Sequence, residues 1–343
     1  MSRLMNKAGW IVAGVLGIAV VASIAGVVFG GPLDPPGPPG STQRTLIFQP
    51  ANCAAFPITI STPGSYVLGQ NITMPVACAK NGIEISAGNV TLDLGGFELR
   101  DTDVGLKGIL VPGAFWNLSI RNGTVSAWGS HAIDATSSAN SQFEDLRLQT
   151  NGGDGLKLDG GNPGHIVSRV IAIANGGSGI RGLYGTVITD CVASLNSGAG
   201  IIVGGGAIVR DCSALDNGGN GIAVSSLGSS YGTLIENNSV ADNTVNGISV
   251  FGDGGTIRGN TVSNNSGIGI YVGGNGNRID ENNVDSSGAA GITVDAVASH
   301  ANLIMRNTSN FNIGVPYSIG AGNQQTGNGT LTTRTNPWDN IND

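Results

Sequence analysis

The sequence is poor in charge and in aromatic rings. Only 11% of its 343 residues are Asp, Glu, Lys or Arg, and 5% are Phe, Trp or Tyr. With 40% apolar residues, this composition excludes a disordered chain, which needs low hydrophobicity and high net charge. A long coiled coil is excluded because the Ala, Glu, Lys, Leu and Arg its heptads demand are not enriched. The 13 prolines are few and the 57 glycines follow no three-residue period, so the chain is not collagen-like. Three histidines (His131, His165, His300) and four methionines lie dispersed, with no Cys/His/Met cluster that could ligate copper. The net charge is −7, and removing Arg3 and Lys7 leaves 14 basic against 23 acidic residues, or −9. An acidic body with scattered Arg excludes nucleic acid as a partner.

Charge is also missing from one long run. Arg3 and Lys7 precede Ala8–Gly31, an uncharged stretch rich in Val, Ile, Ala and Gly. This predicts an export signal, and it is long enough to span a bilayer. Cleavage near Ser23-Ile24-Ala25 and retention as a membrane anchor both remain open for residues 1–31; any membrane contact is through this segment alone. No Cys follows the run, which argues against lipoprotein processing. Residues 32–50 read as a linker, and Gly31–Gly40 (GPLDPPGPPG) is an extended spacer. Export places the body outside the cell, on its surface or in a periplasm. In such an oxidising compartment Cys53 and Cys78 are expected to form a disulfide.

Self-similarity is the main signal. A Gly or Ala followed by an apolar residue recurs at Gly82-Ile83, Gly108-Ile109, Ala132-Ile133, Gly155-Leu156, Gly179-Ile180, Gly200-Ile201, Gly221-Ile222, Gly247-Ile248, Gly269-Ile270 and Gly291-Ile292. A second column is wholly apolar: Ile120, Phe143, Val167, Ile188, Val209, Ile235, Ile257, Ile279 and Ile304. Apolar residues alternate within each unit, which means strand. Short strands repeating about every 23 residues cannot bury a face singly; stacked as coils they enclose a continuous interior. Three residues beyond the apolar column stand Cys191, Cys212, Asn238, Asn260, Asn282 and Asn307, and the Asn run reads as an internal amide ladder. Cys191 and Cys212 share one column in adjacent coils, about 4.8 Å apart, where a disulfide and two buried thiols are equally open. Asn151, Asn175, Asn196, Asn217, Asn243, Asn265 and Asn312 usually precede Gly or Ser and are expected at left-handed turn positions.

With Pro63–Leu68 (PGSYVL), Val90–Phe97 (VTLDLGGF), Ile120–Val125 (IRNGTV) and Asn336-Pro-Trp338, these repeats resemble the right-handed parallel β-helix proteins. That is the architecture of pectate lyases and of exported bacterial β-helix proteins. The resemblance covers about residues 57–343. It implies an all-β chain with a single right-handed parallel β-helix of about ten coils over 81–319. Residues 51–80 are expected to cap it. A tail, 320–343, is expected to fold back over the last coil with Trp338 as anchor.

The fold hosts many chemistries, so function rests on particular side chains. The outward residue after each Gly/Ala-apolar pair runs Glu84, Leu110, Asp134, Lys157, Arg181, Ile202, Ala223, Ser249, Tyr271, Thr293. Asp134, Lys157 and Arg181 therefore stand on consecutive rungs, near His131, Asp159 and Tyr184. A cation there could hold a uronate while Lys157 or Arg181 abstracts a proton. The competing reading is a solvated ladder of alternating charge, and it carries more weight. A second outward column (Arg121, Glu144, Ser168, Thr189, Arg210, Glu236, Arg258, Asp280, Met305) also mixes signs without clustering. Phe251 and Tyr271 are candidates for stacking on sugar rings, against the plainer reading of two surface aromatics.

No Asp-Pro-His epimerase motif, Gly-His-Gly hydrolase signature or Arg-x-Pro-x-x-Arg lyase motif is present. The Gly-Asn-Asp loops lack the nonapeptide calcium spacing, so no cofactor or metal site is expected beyond incidental Ca²⁺. The resulting expectation is an exported or tethered scaffold that binds glycan or cell-envelope material without catalysis. The alternatives are a polysaccharide lyase or uronate epimerase using Asp134, Lys157 and Arg181, and a self-associating surface protein.

Overall fold

The computed structural model describes residues 44–343, apart from 104, 161–162, 183, 226–230, 297–300, 327, 330–338 and 342–343. The expected leader, the Pro/Gly spacer, His300 and Trp338 lie outside the described residues. Among the described residues the helical content is the short turn Cys53–Ala55, and no helix is long and apolar enough to cross a membrane.

Three-residue strands rich in Ile and Val cannot bury a face alone, and each coil lays its strands in parallel register on the coil before. One strand per coil builds a front sheet of twelve strands, from Ile58–Ile60 to Tyr317–Ile319. Its register aligns Thr59, Glu84, Leu110, Asp134, Lys157, Arg181, Ile202, Ala223, Ser249, Tyr271, Thr293 and Ser318. The chain returns through two further strands, such as Ile166–Ser168 and Ile171–Ile173, which build a larger back sheet.

The solenoid thus has about twelve turns rather than ten. The two additional rungs begin Pro57-Ile58 and Pro316-Tyr317, and neither carries the Gly/Ala signature. The segment expected as a cap contributes a coil, since Ile58–Ile60 and Gly64–Leu68 pair with Ile83–Ile85 and Val90–Asp93. The linker expected to reach residue 50 ends sooner, with Thr45–Ile47 already in the back sheet. Cys53 and Cys78 are bonded. The tail returns to the last coil: Ile341 pairs with Thr308, and Tyr317 Oη donates to the Ile341 carbonyl at 2.9 Å.

The interior is the two apolar columns. Ile83, Ile109, Ile133, Leu156, Ile180, Ile201, Ile222, Ile248, Ile270 and Ile292 are fully buried, and so is the Ile120–Ile304 column. The expected amide ladder is present, with Asn238 Nδ2 donating to Asn260 Oδ1, Asn260 to Asn282 and Asn282 to Asn307, each at 2.9 Å.

The Asn151 column departs from expectation. The left-handed residues are those just before it (Thr150, Ala174, Leu195, Asp216, Asp242, Asn264; φ 52–57°), and the asparagines themselves turn inward. A one-residue left-handed kink swings the next side chain into the coil. Asn151, Asn175, Asn196, Asn217, Asn243 and Asn265 then form a second buried ladder with contacts of 2.9–3.0 Å. A third ladder, not foreseen, runs Asn277–Asn302–Asn323. Cys191 and Cys212 are two free, buried thiols. Cys212 N–H donates to Asn238 Oδ1 at 3.0 Å, so the pair closes off the first ladder. The neighbouring Cys212 thiol and burial together push the Cys191 thiol up, keeping it protonated.

Candidate functional site

The outward face of the front sheet collects the candidate residues. Seven of the ten Gly/Ala-apolar pairs are immediately preceded by a polar side chain, and five of these seven accept a backbone N–H of the next coil. Asn81 Oδ1 accepts from Lys107, His131 Nδ1 from Asp154 at 2.8 Å, and Asp154 Oδ1 from Ser178 at 2.6 Å. Asn220 accepts from Asn246 and Asn246 from Ile268, so the same column continues beyond the charged rungs.

Asp134, Lys157 and Arg181 occupy consecutive rungs, as the repeat register requires. They do not engage one another. Lys107 Nζ lies 2.7 Å from Asp134, Arg181 Nε 3.1 Å from Asp154, and Lys157 Nζ 3.9 Å from Asp159. Thr136 Oγ1 bridges Asp134 and Asp159 at 2.6 and 3.2 Å. The patch is therefore three cations facing three carboxylates. Lys107, Asp154 and Thr136 escaped the sequence reading, although their fixed offsets from each Gly/Ala pair would have placed them on this face.

Burial works to raise the Asp134 carboxyl, but hydrogen bonds from Lys107 and Thr136 outweigh it and hold it below its ordinary value. Burial lowers His131, although Asp154 pulls the other way. Nδ1 of His131 accepts a backbone N–H, so the ring is neutral and its 3.8 Å approach to Asp154 is not an ion pair.

Five rungs beyond Lys157 the face becomes aromatic. The rings of Phe251 and Tyr271 lie 5.3 Å apart, tilted by 58°. Tyr271 Oη donates to Asp295 Oδ2 at 2.5 Å, which fixes the ring and raises the phenol's pKa. Phe251 is half exposed. Tyr231, also missed in the sequence, is exposed beside a cleft of about 370 Å³ that it lines with Asp253 and Asn275. Among the described residues no group of three or more His, Cys, Asp or Glu is arranged to hold a metal ion.

His165 is a second buried imidazole. It lies by the Ser138 and Ser141 backbone, yet neither ring nitrogen makes a full hydrogen bond, and burial lowers its pKa. Both lowered histidines bind protons more readily in the unfolded chain, whose ordinary value is 6.5. Their contribution to stability is complete above 6.5 and falls as pH drops below it. Asp134 and Asp280 add a second loss below the ordinary value of 3.8. The melting temperature is expected to fall between about pH 7 and pH 5, with a shallower slope in His165→Gln. A melting temperature flat or rising over that interval would contradict the burial argument.

A family model described as "Right handed beta helix region" matches residues 81–231 and 207–337, and the chain belongs to that family. No curated protein matches it. Among solved structures it is similar to the Azotobacter vinelandii mannuronan C-5 epimerase AlgE6 A-module, with 16% identity, TM-score 0.62 and 87% of each chain covered. A periplasmic alginate epimerase, AlgG, aligns at 12% identity and TM-score 0.54, over 80% of this chain and 74% of that one. A tailspike protein of E. coli bacteriophage HK620, solved with a pentasaccharide, aligns at 14% identity and TM-score 0.58, over 80% of this chain and 60% of that one. Identities this low establish the fold alone.

Proposed function

We propose that this member of the right-handed β-helix family is an exported glycan-binding protein whose binding surface is the outward face of the front sheet. The observation that carries the reading is the Phe251–Tyr271 pair, held on that face by the Tyr271–Asp295 hydrogen bond. A fixed ring pair, with Phe251 half exposed and Tyr271 partly buried, offers an apolar surface to the C–H face of a pyranose, and the adjacent carboxylate accepts from its hydroxyls. The uncharged leader supports export. The printed descriptions of the fold's neighbours, two alginate epimerases and a tailspike bound to a pentasaccharide, fit a saccharide partner.

Lyase or epimerase action through Asp134, Lys157 and Arg181 has less support. Abstracting a proton beside a uronate carboxylate needs a cation available to that carboxylate. Here each cation of the patch already faces one of the protein's own. A glycan array is expected to give binding that weakens about tenfold in Tyr271→Ala. Failure of the wild-type protein to bind any glycan would sink the proposal.

A further inference from the structure

The front sheet stops at Tyr317–Ile319, a strand that pairs on one side only, with Ile292–Val294. Ile292 N–H donates to the Pro316 carbonyl at 2.9 Å, and Gly320 N–H to the Val294 carbonyl at 2.8 Å. Backbone groups along a parallel strand turn alternately to either neighbour, so those of Tyr317 and Ile319 face the missing rung. They have no partner among the described residues. The tail covers the back sheet alone: Gln324 and Gln325 pair with Leu303 and Ile304, Ile341 with Thr308, and Asn328–Gly329 with Asn340–Ile341. Sheet edges are normally blunted by charge or by Pro. Here no charged residue stands between Arg306 and Arg334. Pro316 lacks only the N–H that would face inward, to Ile292–Val294. At the opposite end of the sheet Ile58 N–H donates inward, to the Gly82 carbonyl, so Pro57 removes an outward donor. Arg44 also abuts the outermost back strand there, Thr45–Ile47. Finally, the last turn is apolar. Phe311, Ile313 and Val315 are 79%, 85% and 56% exposed, where the coil before carries Ser286, Gly288 and Ala290.

We infer that this edge binds a second copy of the chain, front edge to front edge, about a two-fold axis through Ser318. A two-fold axis makes the two strands antiparallel, with Ser318 opposite Ser318 of the second copy. Tyr317 of each copy then exchanges both backbone bonds with Ile319 of the other, which satisfies the groups left open. The same axis lays the Phe311–Val315 turn of one copy against the Gly320–Asn323 turn of the other, where Ala321 and Gly322 are small and exposed. Bulk meets space on both flanks. At the back Asn328–Gly329 stands one rung beyond Asn340–Ile341, so the copies meet at their front edges and diverge behind. Such a contact is isologous and closes as a dimer, whereas a head-to-tail contact would leave an open edge on every assembly and grow into fibres. The blunted opposite end favours the closed form.

Sedimentation velocity of the full chain in a mild detergent, over a range of concentrations, is expected to show a monomer–dimer equilibrium and nothing larger. Ser318 is exposed and in register with the outward Thr293, so Ser318→Lys leaves the coil and its melting temperature intact. It sets two like charges face to face across the axis. The dimer dissociation constant then rises at least about tenfold, and Ser318→Asp has the same effect. Mixing the two variants restores a dimer, one copy of each, because the axis now joins opposite charges. Thr59→Lys, at the outward position of the first rung, leaves the dimer unchanged. All variants share residues 1–43, so association through that segment would survive Ser318→Lys. The inference is overturned by a monomer at every concentration, a dimer indifferent to Ser318→Lys, a mixture that stays monomeric, or assemblies larger than a dimer.

Discussion

Asn217→Leu is expected to destabilise the protein by about 3–5 kcal/mol, among the largest costs open to a single side chain of similar volume. Asn217 sits in the middle of the second ladder and uses all of its amide. Nδ2 donates to the Ala193 carbonyl and to Asn243 Oδ1, both at 3.0 Å. Oδ1 accepts the N–H of Asn196 at 3.2 Å and its Nδ2 at 3.0 Å. Leucine fills the volume and returns none of these bonds. It takes a donor from the carbonyl below and strands two donors on Asn196, all buried, while Asn243 Oδ1 above keeps only the backbone N–H of residue 217. Each unsatisfied group costs about 1–3 kcal/mol, partly recovered by relaxation. Stability in a solenoid resides largely in the interfaces between neighbouring coils, and this change damages two of them. The same change at Asn323, the part-exposed end of the third ladder, should cost well under half as much, because water replaces the lost partners. Urea unfolding of both variants checks this. Equal losses, or a loss below about 1 kcal/mol at Asn217, would mean the ladder is an incidental alignment.

The ladder also shows how far this fold can be read from residues alone. The period and the outward column were legible because β-branched residues alternate and Gly-Ile recurs, so every front-sheet rung from Glu84 to Thr293 falls where the repeat puts it. The terminal rungs were not, because Pro57 and Pro316 stand where other coils carry Gly or Ala. Asn tolerates a left-handed backbone, so an Asn before Gly suggests a turn residue. In fact the residue before it takes the positive φ, and its identity (Thr, Ala, Leu, Asp or Asn) varies too much to mark the position. For the site, consecutive charges were legible and their partners were not. Lys107 and Asp154 lie 27 residues from Asp134 and Arg181, a separation that acquires meaning only once the register is known.

Gly221→Val is expected to cost about 3 kcal/mol or more, from crowding at a position with an unremarkable backbone conformation. A Cβ built on Gly221 would collide with Val240 Cγ1 and lie 2.7 Å from Asn243 Nδ2 and 2.8 Å from the Gly247 carbonyl. The Val240 methyl can turn away, but the other two are fixed by the ladder and by the next rung. The same arrangement recurs: Gly179 faces Asn196, Gly200 faces Asn217 and Gly247 faces Asn265, each with Nδ2 2.8 Å from the absent Cβ. The Gly of each Gly-Ile pair is therefore the space in which the amide ladder runs, and the two sequence columns are one device. Gly232 provides the contrast. It has φ +73° and nothing within 4 Å of its absent Cβ, so Gly232→Ala should cost only the left-handed penalty of about 1–2 kcal/mol. If the crowding argument holds, Gly221→Ala and Asn243→Ala combined should cost less than the sum of the two by about 1 kcal/mol, since removing the amide relieves one collision. Strict additivity in that double-mutant cycle would place the glycine requirement in the Gly247 carbonyl alone and uncouple the column from the ladder.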